Sequence, residues 1–506
     1  MPTQNADLYW LLRRHNSPRQ LPPEPMNTPR DLPTHLLREG SAHTLGQQLA
    51  GWFGERIRLR ALTPGARLPS VRACAHTHGV SPSTVVAAYD LLQAQGLVEA
   101  RRQRGFFVRD PRPLPTGHAA PAAAPVPLQA PVDATALIRG MFQRGPGQGG
   151  PGLGTLPEPW LDGGLIERAL RRAIGGAGDA MRYGDPAGDP PLREALARRL
   201  AGELGIAATA GQIVTTVGAT QALDIVARTL LRPGDAVLVD DPGWAVEFAR
   251  FTQLGMRLLP VPRGPQGPDL TVLEHLLRAH RPRLYATVSV LHNPTGQSLS
   301  LAAAHQVLKL ADAHDLTIVE DDTYAWLAPP HAPRLSALDG LQRTVYVSGF
   351  SKILAPNWRV GYAAASPALA QRLIDTKLVM TLTSPALMER AVAWCLDQGL
   401  LRRHAERVAE RLQAARPRVT RLAADAGCRP ATPPQGLFGW VDTGVDADAL
   451  AARMAAQGWL LAPGSLFHAQ AQRDTHMRIN FASSQDPRFW QQFAATRREL
   501  MRAAPG

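Results

Sequence analysis

The spacing of hydrophobic residues predicts three helices near the N-terminus of the chain. Residues 44–59 (TLGQQLAGWFGERIRL) place apolar side chains at helical intervals, and the turn signal Thr63-Pro64-Gly65 follows them. A second helix is predicted over Val71–His78, after a serine that can cap it. A third begins at Ser81, which can also act as a cap, and extends to about Gln95.

Two short apolar segments after the third helix predict a pair of strands. Leu97–Ala100 and Gly105–Arg109 flank a turn that carries Arg101, Arg102 and Arg104. Three helices followed by a basic hairpin are the elements of a winged helix-turn-helix domain, in which one helix enters the major groove of DNA. The alternative is a small helical dimerisation domain with a solvated basic face.

The residues expected to contact DNA are basic or carry a hydroxyl group. They lie on the turns, at the start of the third helix and in the hairpin. Arginine gives affinity for the phosphate backbone, and a hydroxyl group can reach a phosphate or a base edge. The candidates are Arg72, Ser81, Ser83, Thr84, Arg101, Arg102 and Arg104.

The motifs of this segment resemble a known family of DNA-binding proteins. GARLPSVR, SPSTVVAAYDLL and GLVEARRQRGFFV, within residues 42–110, are similar to the N-terminal domain of GntR-family transcription regulators. The resemblance implies DNA contacts by Arg72, by the first residues of the third helix and by the hairpin. Pro82 and Gln103-Arg104 depart from the residues common in that family, so the resemblance does not give the operator sequence.

The hydrophobic pattern changes again after a segment rich in Pro, Ala and Gly. Residues 111–150 cannot bury a core and are predicted to be a linker. Residues 151–504 alternate apolar runs with helical segments, which predicts an α/β fold with a mainly parallel sheet. The predicted strands are Ile213–Val217, Ala236–Val239, Leu284–Val290, Leu316–Val319 and Thr344–Val347.

The sequence thus predicts a multi-domain chain. An N-terminal extension, residues 1–41, contains a short amphipathic segment at Leu8–Arg14 and precedes the winged helix-turn-helix domain, residues 42–110. The linker, residues 111–150, leads to the α/β domain, residues 151–504. Ala449–Gly458 and the segment that starts at Arg478 predict a smaller C-terminal subdomain within it.

Charge and cysteine content narrow the class of protein. The net charge of +13 favours a nucleic acid partner. Cys74, Cys395 and Cys428 are scattered without a CxxC pair, so the sequence indicates neither a disulfide framework nor a metal site. No apolar run approaches the length of a membrane span, and the first apolar patch is too short for a signal peptide. We therefore expect a cytoplasmic protein without a membrane partner.

Lysine is rare in this chain, with three lysines among 55 basic residues. A lysine amine can form an imine once its pKa is lowered, whereas arginine stays protonated. Lys309 and Lys377 lie in helical patterns and are predicted to be exposed to solvent. Lys352 follows the last predicted strand and hydroxyl residues, with Arg359 seven residues later. The alternative is that Lys352 is a loop lysine with no special role.

Other polar and aromatic residues also follow predicted strands. The turn Gly218-Ala219-Thr220 opens a helix, whose free N–H groups favour phosphate. Trp244 can stack on a planar ring, and Asn293 can donate to a phenolate oxygen. Asp321 can keep a pyridine nitrogen protonated. Each has an ordinary alternative: a tight turn, a packed ring or a solvated carboxylate. Together they lie where open α/β folds bind ligands.

This set of residues, over about residues 152–504, resembles the fold-type I enzymes that use pyridoxal 5'-phosphate, the aspartate aminotransferase superfamily. The resemblance implies that Lys352 is the Schiff-base lysine and that Asp321 pairs with the pyridinium nitrogen. It further implies that Asn293 and Tyr324 form hydrogen bonds to the ring oxygen and that Trp244 stacks on the ring. The residues implied to hold the phosphate are Ala219, Thr220, Ser351 and Arg359. Tyr183 is implied to reach the phosphate of the partner subunit, and Arg478 is implied to bind a substrate or effector carboxylate. Gly349 departs from the pattern, since many relatives carry a hydroxyl there.

The order of the two domains resembles the MocR subfamily of GntR regulators. That resemblance implies a homodimer that binds operator DNA and whose aminotransferase-like domain senses pyridoxal phosphate, in some cases with an amino compound. A regulator is therefore the leading interpretation. The residues required for transamination are also present, so a catalytically active aminotransferase is the alternative, and an enzyme that regulates its own gene is a third interpretation.

Overall fold

The computed structural model describes residues 43–59, 61–101, 104–109, 150–174, 181–470 and 472–503. The chain divides into two compact units, residues 1–125 and residues 126–506. The predicted extension, with its helix at Leu8–Arg14, and residues 111–149 of the predicted linker lie outside the described residues. The boundaries of the four segments taken from the sequence therefore remain predictions.

The N-terminal unit contains three helices and a hairpin. In chain order these elements are α1 (Leu45–Arg58), α2 (Val71–His78), α3 (Pro82–Ala94), β1 (Val98–Arg101) and β2 (Gly105–Val108). The hydroxyl groups of Thr44, Ser70 and Ser81 each accept a backbone N–H in the first turn of the helix that follows. The predicted helices and their serine caps are confirmed, and the predicted strands agree to within one residue at each end.

A small apolar core holds the N-terminal unit together. Leu49 and Phe53 of α1 pack with Val85, Tyr89 and Leu92 of α3, and all five are at most 2% exposed. The hairpin strands pair in antiparallel fashion and close one side of this core. The strands are buried at Val98 and Val108 and exposed at Arg101 and Gly105, so the described residues at the turn end of the hairpin face solvent, as a DNA-contacting wing requires.

The second unit is built on an eight-stranded sheet. Its strands are β3 (Ile213–Thr216), β4 (Ala236–Asp241), β5 (Arg257–Gly264), β6 (Gly267–Pro268), β7 (Leu284–Thr287), β8 (Thr317–Asp321), β9 (Thr344–Gly349) and β10 (Gly361–Ala364). The strand order is β3-β10-β9-β8-β7-β4-β5-β6. The strands from β9 to β5 in this order are parallel, whereas β10 is antiparallel to both of its neighbours. The predicted fold class, a mainly parallel α/β sheet, is confirmed.

Helices cover both faces of this sheet, as a parallel sheet requires. The helices of the second unit are α4 (Gly163–Ile174), α5 (Pro190–Leu204), α6 (Ala219–Leu230), α7 (Ala245–Gln253), α8 (Leu270–His280), α9 (Leu301–Ala313), α10 (Leu335–Asp339), α11 (Pro367–Thr381), α12 (Ala386–Asp397), α13 (Leu400–Asp425), α14 (Ala447–Ala456) and α15 (Pro487–Ala503). Val237 and Val239 of β4 pack into one hydrophobic cluster and Leu238 into another, so successive residues of the strand face opposite layers.

The C-terminal part of the chain forms a second, antiparallel sheet. Its strands are β11 (Arg429–Pro430), β12 (Phe438–Asp442), β13 (Ala462–Pro463) and β14 (His476–Asn480), in the order β11-β12-β14-β13. With α14 and α15 this sheet forms the predicted smaller subdomain. Arg478 lies in β14, opposite Trp440 of β12.

The prediction for one lysine was wrong. Lys309 is exposed on α9, as predicted, but Lys377 of α11 is fully buried. Its ammonium group lies 3.5 Å from the hydroxyl of Thr215, close to Glu389 and Asp185, whose charges compensate for burial. A helical pattern shows whether a lysine is buried or exposed only when the element that packs on each face of the helix is known. The sequence does not identify that element.

Within the described ranges, none of the helices is both long enough and apolar enough to span a membrane.

Candidate functional site

Segments that follow β3, β4, β7, β8 and β9 converge on one cavity at the carboxyl ends of the parallel strands. This is the position at which open α/β sheets bind ligands. All nine residues that the resemblance assigned to the cofactor within one subunit line this cavity: Ala219, Thr220, Trp244, Asn293, Asp321, Tyr324, Ser351, Lys352 and Arg359. Long-range folding therefore brings together side chains that are spread over 141 positions of the sequence, from 219 to 359.

One corner of the cavity is suited to an anion. Ala219 and Thr220 are the first two residues of α6, and the N–H groups at that position of a helix have no acceptor within the helix. Arg359 lies beside them and donates from Nη1 to Ser351 Oγ over 2.9 Å. Gly218 has φ +79°, and a Cβ atom there would lie 2.3 Å from Arg359 Nη2. The positive φ favours glycine at this turn, and the missing side chain leaves room for the guanidinium group of Arg359.

The close packing around Gly349 accounts for the absence of the hydroxyl group that many relatives carry at this position. A Cβ atom on Gly349 would lie 3.2 Å from the carbonyl oxygen of Val360 and 3.4 Å from the amide nitrogen of Ala219. The strand end thus approaches the start of α6 more closely than a side chain comfortably allows. The anion corner is consequently built from backbone N–H groups, Ser351 and Arg359.

Lys352 is the amine in the cavity. Burial lowers its pKa from 10.5 to about 8, with smaller contributions in the same direction from the positive charges of Arg478 and Arg359, and Asp321 opposes the shift. Its Nζ atom lies 6.0 Å from the centre of the Tyr324 ring. At a pKa of about 8, roughly a tenth of the amine is unprotonated at pH 7, and the unprotonated form is the one that reacts with a carbonyl carbon.

The three consecutive acidic residues at the carboxyl end of β8, Glu320, Asp321 and Asp322, have different environments. Glu320 accepts backbone N–H groups from α10, including that of Ser336. Asp322 forms a buried ion pair with Arg334 at 2.6 Å. Asp321 alone of the three lines the cavity. The structure therefore places in the cavity the carboxylate that the resemblance assigned, and gives the two neighbours structural roles.

Two further residues line the cavity near Asp321 and were not predicted from the sequence. Thr323 donates to Asp321 Oδ1 from both its backbone N–H and its hydroxyl. Burial raises the pKa of Asp321, and these hydrogen bonds oppose the rise. Arg250 of α7 also lines the cavity. Beside it the buried Glu247 has a pKa of about 8, raised by burial and then by the charge of Asp321. The positions of Arg250 and Glu247 follow from the packing of α7, which hydrophobic periodicity alone does not reveal.

Arg478 orients Asn293. The guanidinium group is 1% exposed and donates from Nη1 to Asn293 Oδ1 and from Nη2 to the carbonyl oxygen of Gly152, both over 2.6 Å. Because a guanidinium group can only donate, the oxygen of the Asn293 amide must face it. The amide nitrogen of Asn293 is then available as a donor toward the cavity. Burial lowers the pKa of Arg478 to about 10.

A chain of carboxylates and imidazoles connects the aromatic side of the cavity to the C-terminal subdomain. Asp241, three residues before Trp244, accepts a hydrogen bond from His468 Nδ1 at 2.5 Å and another from the backbone N–H of Ala469 at 3.1 Å. His468 Nε2 lies 3.0 Å from Asp474 Oδ2. Residue spacing does not reveal this set, because Asp241 lies 227 positions before His468.

Tyr183 does not lie in the cavity. Its side chain is 82% exposed, and Met181 nearby is 93% exposed. In the described part of this single chain Tyr183 therefore lies outside the cavity, and its predicted contact would be with the phosphate of another subunit.

The residues predicted to contact DNA are at the surface of the N-terminal unit where the structure describes them. Arg72, Ser81, Ser83, Arg101 and Arg104 are exposed, and Thr84 is half-buried. The hydroxyl of Ser81 bonds to those of Ser83 and Thr84 at the start of α3. Arg101 pairs with Glu99 over 2.8 Å. Arg102 lies outside the described residues.

The described residues contain no cluster of three or more His, Cys, Asp or Glu side chains that could hold a metal ion. All three cysteines are free and buried.

Comparison with known proteins agrees with both units. The family profile "Aminotransferase class I and II" matches residues 160–488, and the profile "Bacterial regulatory proteins, gntR family" matches residues 46–108. The HTH-type transcriptional regulator YdcR of Escherichia coli is 30% identical over 86% of this chain and 94% of its own length. The chain belongs to the MocR-type GntR family. It carries a GntR-type DNA-binding domain fused to an aminotransferase-like domain.

Two other relatives extend the comparison of this MocR-type chain. The HTH-type transcriptional regulator TauR of Rhodobacter capsulatus is 30% identical over 88% of the chain and 95% of its own length. The crystal structure of LysN, the α-aminoadipate aminotransferase of Thermus thermophilus, matches with a TM-score of 0.66 and 26% identity, over 73% of this chain and 96% of LysN. That structure holds N-(5'-phosphopyridoxyl)-L-leucine.

Proposed function

We propose that this MocR-type protein is a transcription regulator that senses pyridoxal 5'-phosphate. The winged helix-turn-helix domain binds operator DNA, and occupation of the aminotransferase-like domain changes that binding. The observation that carries the proposal is the cavity, because the nine residues that the resemblance assigned to the cofactor line it together in a chain that also has a GntR domain. A metabolic transaminase has no need of such a domain.

The residues of the cavity fit the chemical groups of pyridoxal phosphate. The amide groups of Ala219 and Thr220, with Ser351 and Arg359, would hold the dianionic phosphate, and the contact between Gly218 and Arg359 shows that this corner is already closely packed. Trp244 would stack on the ring. When bound, pyridoxal phosphate supplies an electron-withdrawing ring conjugated to an aldehyde.

The remaining side chains would fix the ring at its polar positions. Asp321 would accept a hydrogen bond from the ring nitrogen, and Thr323 holds the carboxylate in place for it. Asn293, oriented by Arg478, and Tyr324 would donate to the ring oxygen. Lys352 would hold the aldehyde end through Nζ. Lys352 has the lowered pKa that this role requires.

A homodimer completes the site in this proposal. Tyr183 would contact the phosphate held by the other subunit. The exposed apolar side chains Met181 and Val379, which are 93% and 91% exposed, would be covered in the same interface. A two-fold dimer would also present two winged helix-turn-helix domains to paired half-sites on DNA.

An amino compound would act as a second signal through Arg478. Two of the five N–H groups of its guanidinium group are donated to Asn293 and Gly152, and its Nε atom is buried without a hydrogen-bond partner among the described residues. The remaining donors would bind an effector carboxylate, and the bond to Gly152 would link that event to the start of the aminotransferase-like domain. An effector can shift DNA binding only by the difference in its affinity for the two states.

The alternative is a catalytically active aminotransferase. Its support is the similarity of the cavity to that of aminotransferases and the lowered pKa of Lys352, which would let the amine accept and release a proton near neutral pH. The regulator is preferred because the relatives that span both domains are named as regulators. Turnover of amino acids with 2-oxo acids, measured without DNA, tests the alternative directly.

The test of the proposal is a titration of the purified protein against DNA from upstream of its own and neighbouring genes, with and without pyridoxal phosphate, over a range of salt concentrations. We expect sequence-selective binding that the cofactor shifts. Replacing Arg72 and Arg102 together with glutamine should weaken binding and flatten its salt dependence, since each lost phosphate contact lowers the slope by about one. Absence of selective binding in either cofactor state would contradict the proposal.

A further inference from the structure

A second depression lies at the opposite edge of the main sheet from the cofactor cavity. It measures about 520 Å³ and lies at the amino ends of the parallel strands, beside the residues that precede β4 and β7 and the first residue of β8. Four arginines and one acidic residue are among its lining: Arg228, Arg232, Arg283, Arg372 and Asp315. No step of the proposed function uses this edge of the sheet.

The charges in this depression are not balanced from within. Asp315 is bonded to Arg343, which lies outside the depression, over 2.8 Å, and Arg228 pairs with Asp224 over 3.0 Å. In the part of the chain that the structure describes, the guanidinium groups of Arg232 and Arg283 form no ion pair. Positive charges held together in one concave surface create a potential that attracts anions.

The strand register extends this surface beyond the depression. Arg257, the first residue of β5, pairs with Ala236 of β4, and Leu284 of β7 pairs with the next residue of β4. Arg283 therefore lies level with Arg257, two strands away, at a distance of about 10 Å along the sheet edge. Arg232, four residues before β4, lines the depression together with Arg283, and Arg257 begins the neighbouring strand β5; we call these three exposed arginines the arginine row.

We propose that this arginine row binds the phosphate backbone of DNA that extends beyond the sites held by the winged helix-turn-helix domains. Guanidinium groups match phosphate in charge and in hydrogen-bond geometry. DNA is the polyanion that the GntR domain of this chain holds, so its flanks are present at high effective concentration. The inference rests on the DNA-binding part of the proposed function and adds a second contact surface to it.

Two duplexes centred on the upstream DNA that the protein selects in the titration described above test this surface in the full-length protein saturated with pyridoxal phosphate. One duplex of about 20 base pairs spans two helical turns, enough for paired half-sites, and one of about 60 base pairs carries the same centre with long flanks. Fluorescence anisotropy gives the slope of log K against log salt concentration for each. In Arg232→Gln/Arg283→Gln we expect the slope with the long duplex to fall by about 1.8 for each subunit that contacts the flanks.

The short duplex and a control variant make the result specific. Affinity for the short duplex and for pyridoxal phosphate should be unchanged in the double variant, which also shows that it is folded. Arg172→Gln/Arg421→Gln removes two exposed arginines from α4 and α13 and should leave the slope with the long duplex unchanged. Arg232→Lys/Arg283→Lys keeps the charges and should restore most of the slope.

The outcomes separate this inference from the proposed function. If wild-type protein binds both duplexes and Arg232→Gln/Arg283→Gln has the wild-type slope, the arginine row does not contact DNA and only this inference fails. Binding of inorganic phosphate by the depression without any change in the DNA slope would likewise overturn it, in favour of a small anion. If wild-type protein binds neither duplex, the proposed function fails first.

Discussion

Lys352 and Lys377 show that a lowered lysine pKa does not by itself identify a reactive amine. Burial lowers the pKa of both to about 8. Lys377 lies within hydrogen-bond distance of Thr215 and near the charge of Glu389. It is not among the described residues that line the cavity. Lys352 lines the cavity. Position decides the assignment, and the shift in pKa only makes the chemistry available.

Replacing Lys352 with alanine tests this assignment. We expect borohydride reduction of the wild-type protein with pyridoxal phosphate to fix the cofactor on the peptide that contains Lys352, and the variant to lose this adduct. Lys309→Ala, on an exposed face of α9, is the matched control and should keep it. Mass spectrometry of the digested protein is the measurement. An adduct of equal yield on Lys377 in the Lys352 variant would refute the assignment.

The neighbouring carboxylates Asp321 and Asp322 should respond in opposite ways to replacement by asparagine. Asp322→Asn leaves the buried Arg334 without its charge partner, which costs about 3–5 kcal/mol of unfolding free energy. Burial raises the pKa of Asp321, so folding disfavours its ionised form and stability falls as the pH rises above the unfolded-state pKa. Asp321→Asn removes that penalty and should keep or raise the unfolding temperature of the cofactor-free protein at pH 7.

Cofactor binding gives the second measurement for this pair. Asp321→Asn should weaken pyridoxal phosphate by about tenfold or more, because a charge-assisted hydrogen bond to the ring nitrogen is worth about 1.5–3 kcal/mol. Absorbance titration against thermal unfolding then separates the two carboxylates. Loss of stability in the Asp321 variant with unchanged cofactor affinity would contradict the assigned roles.

At the scale of elements, the helices and strands with local signals were predictable and those fixed by packing were not. Capping serines and a following glycine defined α2 and α3. The sequence does not predict β5, because Pro260 and Pro262 argue against a strand. Both prolines lack their N–H group on the side of β5 that faces β6, and β6 pairs with β5 only at Arg263 and Gly264. The short β10, Gly361–Ala364, carries no boundary signal and reverses direction between two neighbours.

The candidate site follows the same division. The residues directly after strands were identified because the carboxyl ends of parallel strands form one edge, and that edge is a property of the fold class. Arg250 and Glu247 lie on α7, and their approach to Asp321 depends on how that helix packs. His468 contacts Asp241 from a different subdomain. Such contacts depend on tertiary packing, which residue spacing does not contain.

The contact between β4 and the C-terminal subdomain should depend on pH through His468. Burial lowers the pKa of His468, but the hydrogen bonds and charges of Asp241 and Asp474 outweigh this and raise it to about 9. A raised histidine pKa stabilises the folded state fully below the unfolded-state value of about 6.5, and the contribution is lost as the pH rises through about 9. His476 Nδ1 also lies 2.7 Å from Asp474, and this hydrogen bond raises the pKa of His476 as well.

His468→Gln is the corresponding variant. Its unfolding free energy should lie below that of the wild type by about 1–3 kcal/mol near pH 6.5, a range that allows for partial solvent screening, and the gap should close as the pH rises through about 9. The same unfolding measurements, made with pyridoxal phosphate bound, also test whether the contact of Asp241 with His468 affects Trp244, which lies three residues after Asp241. His305→Gln, on the exposed face of α9, is the control. A gap that does not change with pH would show that His468 packs without bearing charge.

At the scale of the whole molecule, exposed apolar side chains indicate where the two copies of the proposed dimer would meet. Met181, Tyr183, Val379 and Leu382 are between 51% and 93% exposed. The segment that carries the first two runs beside the turn between α11 and α12, since a Cβ atom on Gly184 would lie 3.8 Å from the Ser384 carbonyl oxygen. Large apolar side chains grouped in this way are typical of a protein interface.

Val379→Glu places a charge in the proposed interface and should convert the dimer to a monomer in sedimentation velocity at micromolar concentration. Because Tyr183 would then lose access to the other subunit's phosphate, pyridoxal phosphate and DNA should both bind more weakly. Tyr183→Phe should leave the dimer intact and weaken only the cofactor, by about 0.5–1.5 kcal/mol for one hydrogen bond. Leu301→Glu, a residue 62% exposed on α9, is the control and should change none of these quantities. A Val379→Glu protein that remains dimeric with wild-type cofactor affinity would place the interface elsewhere and leave Tyr183 without a role in the site.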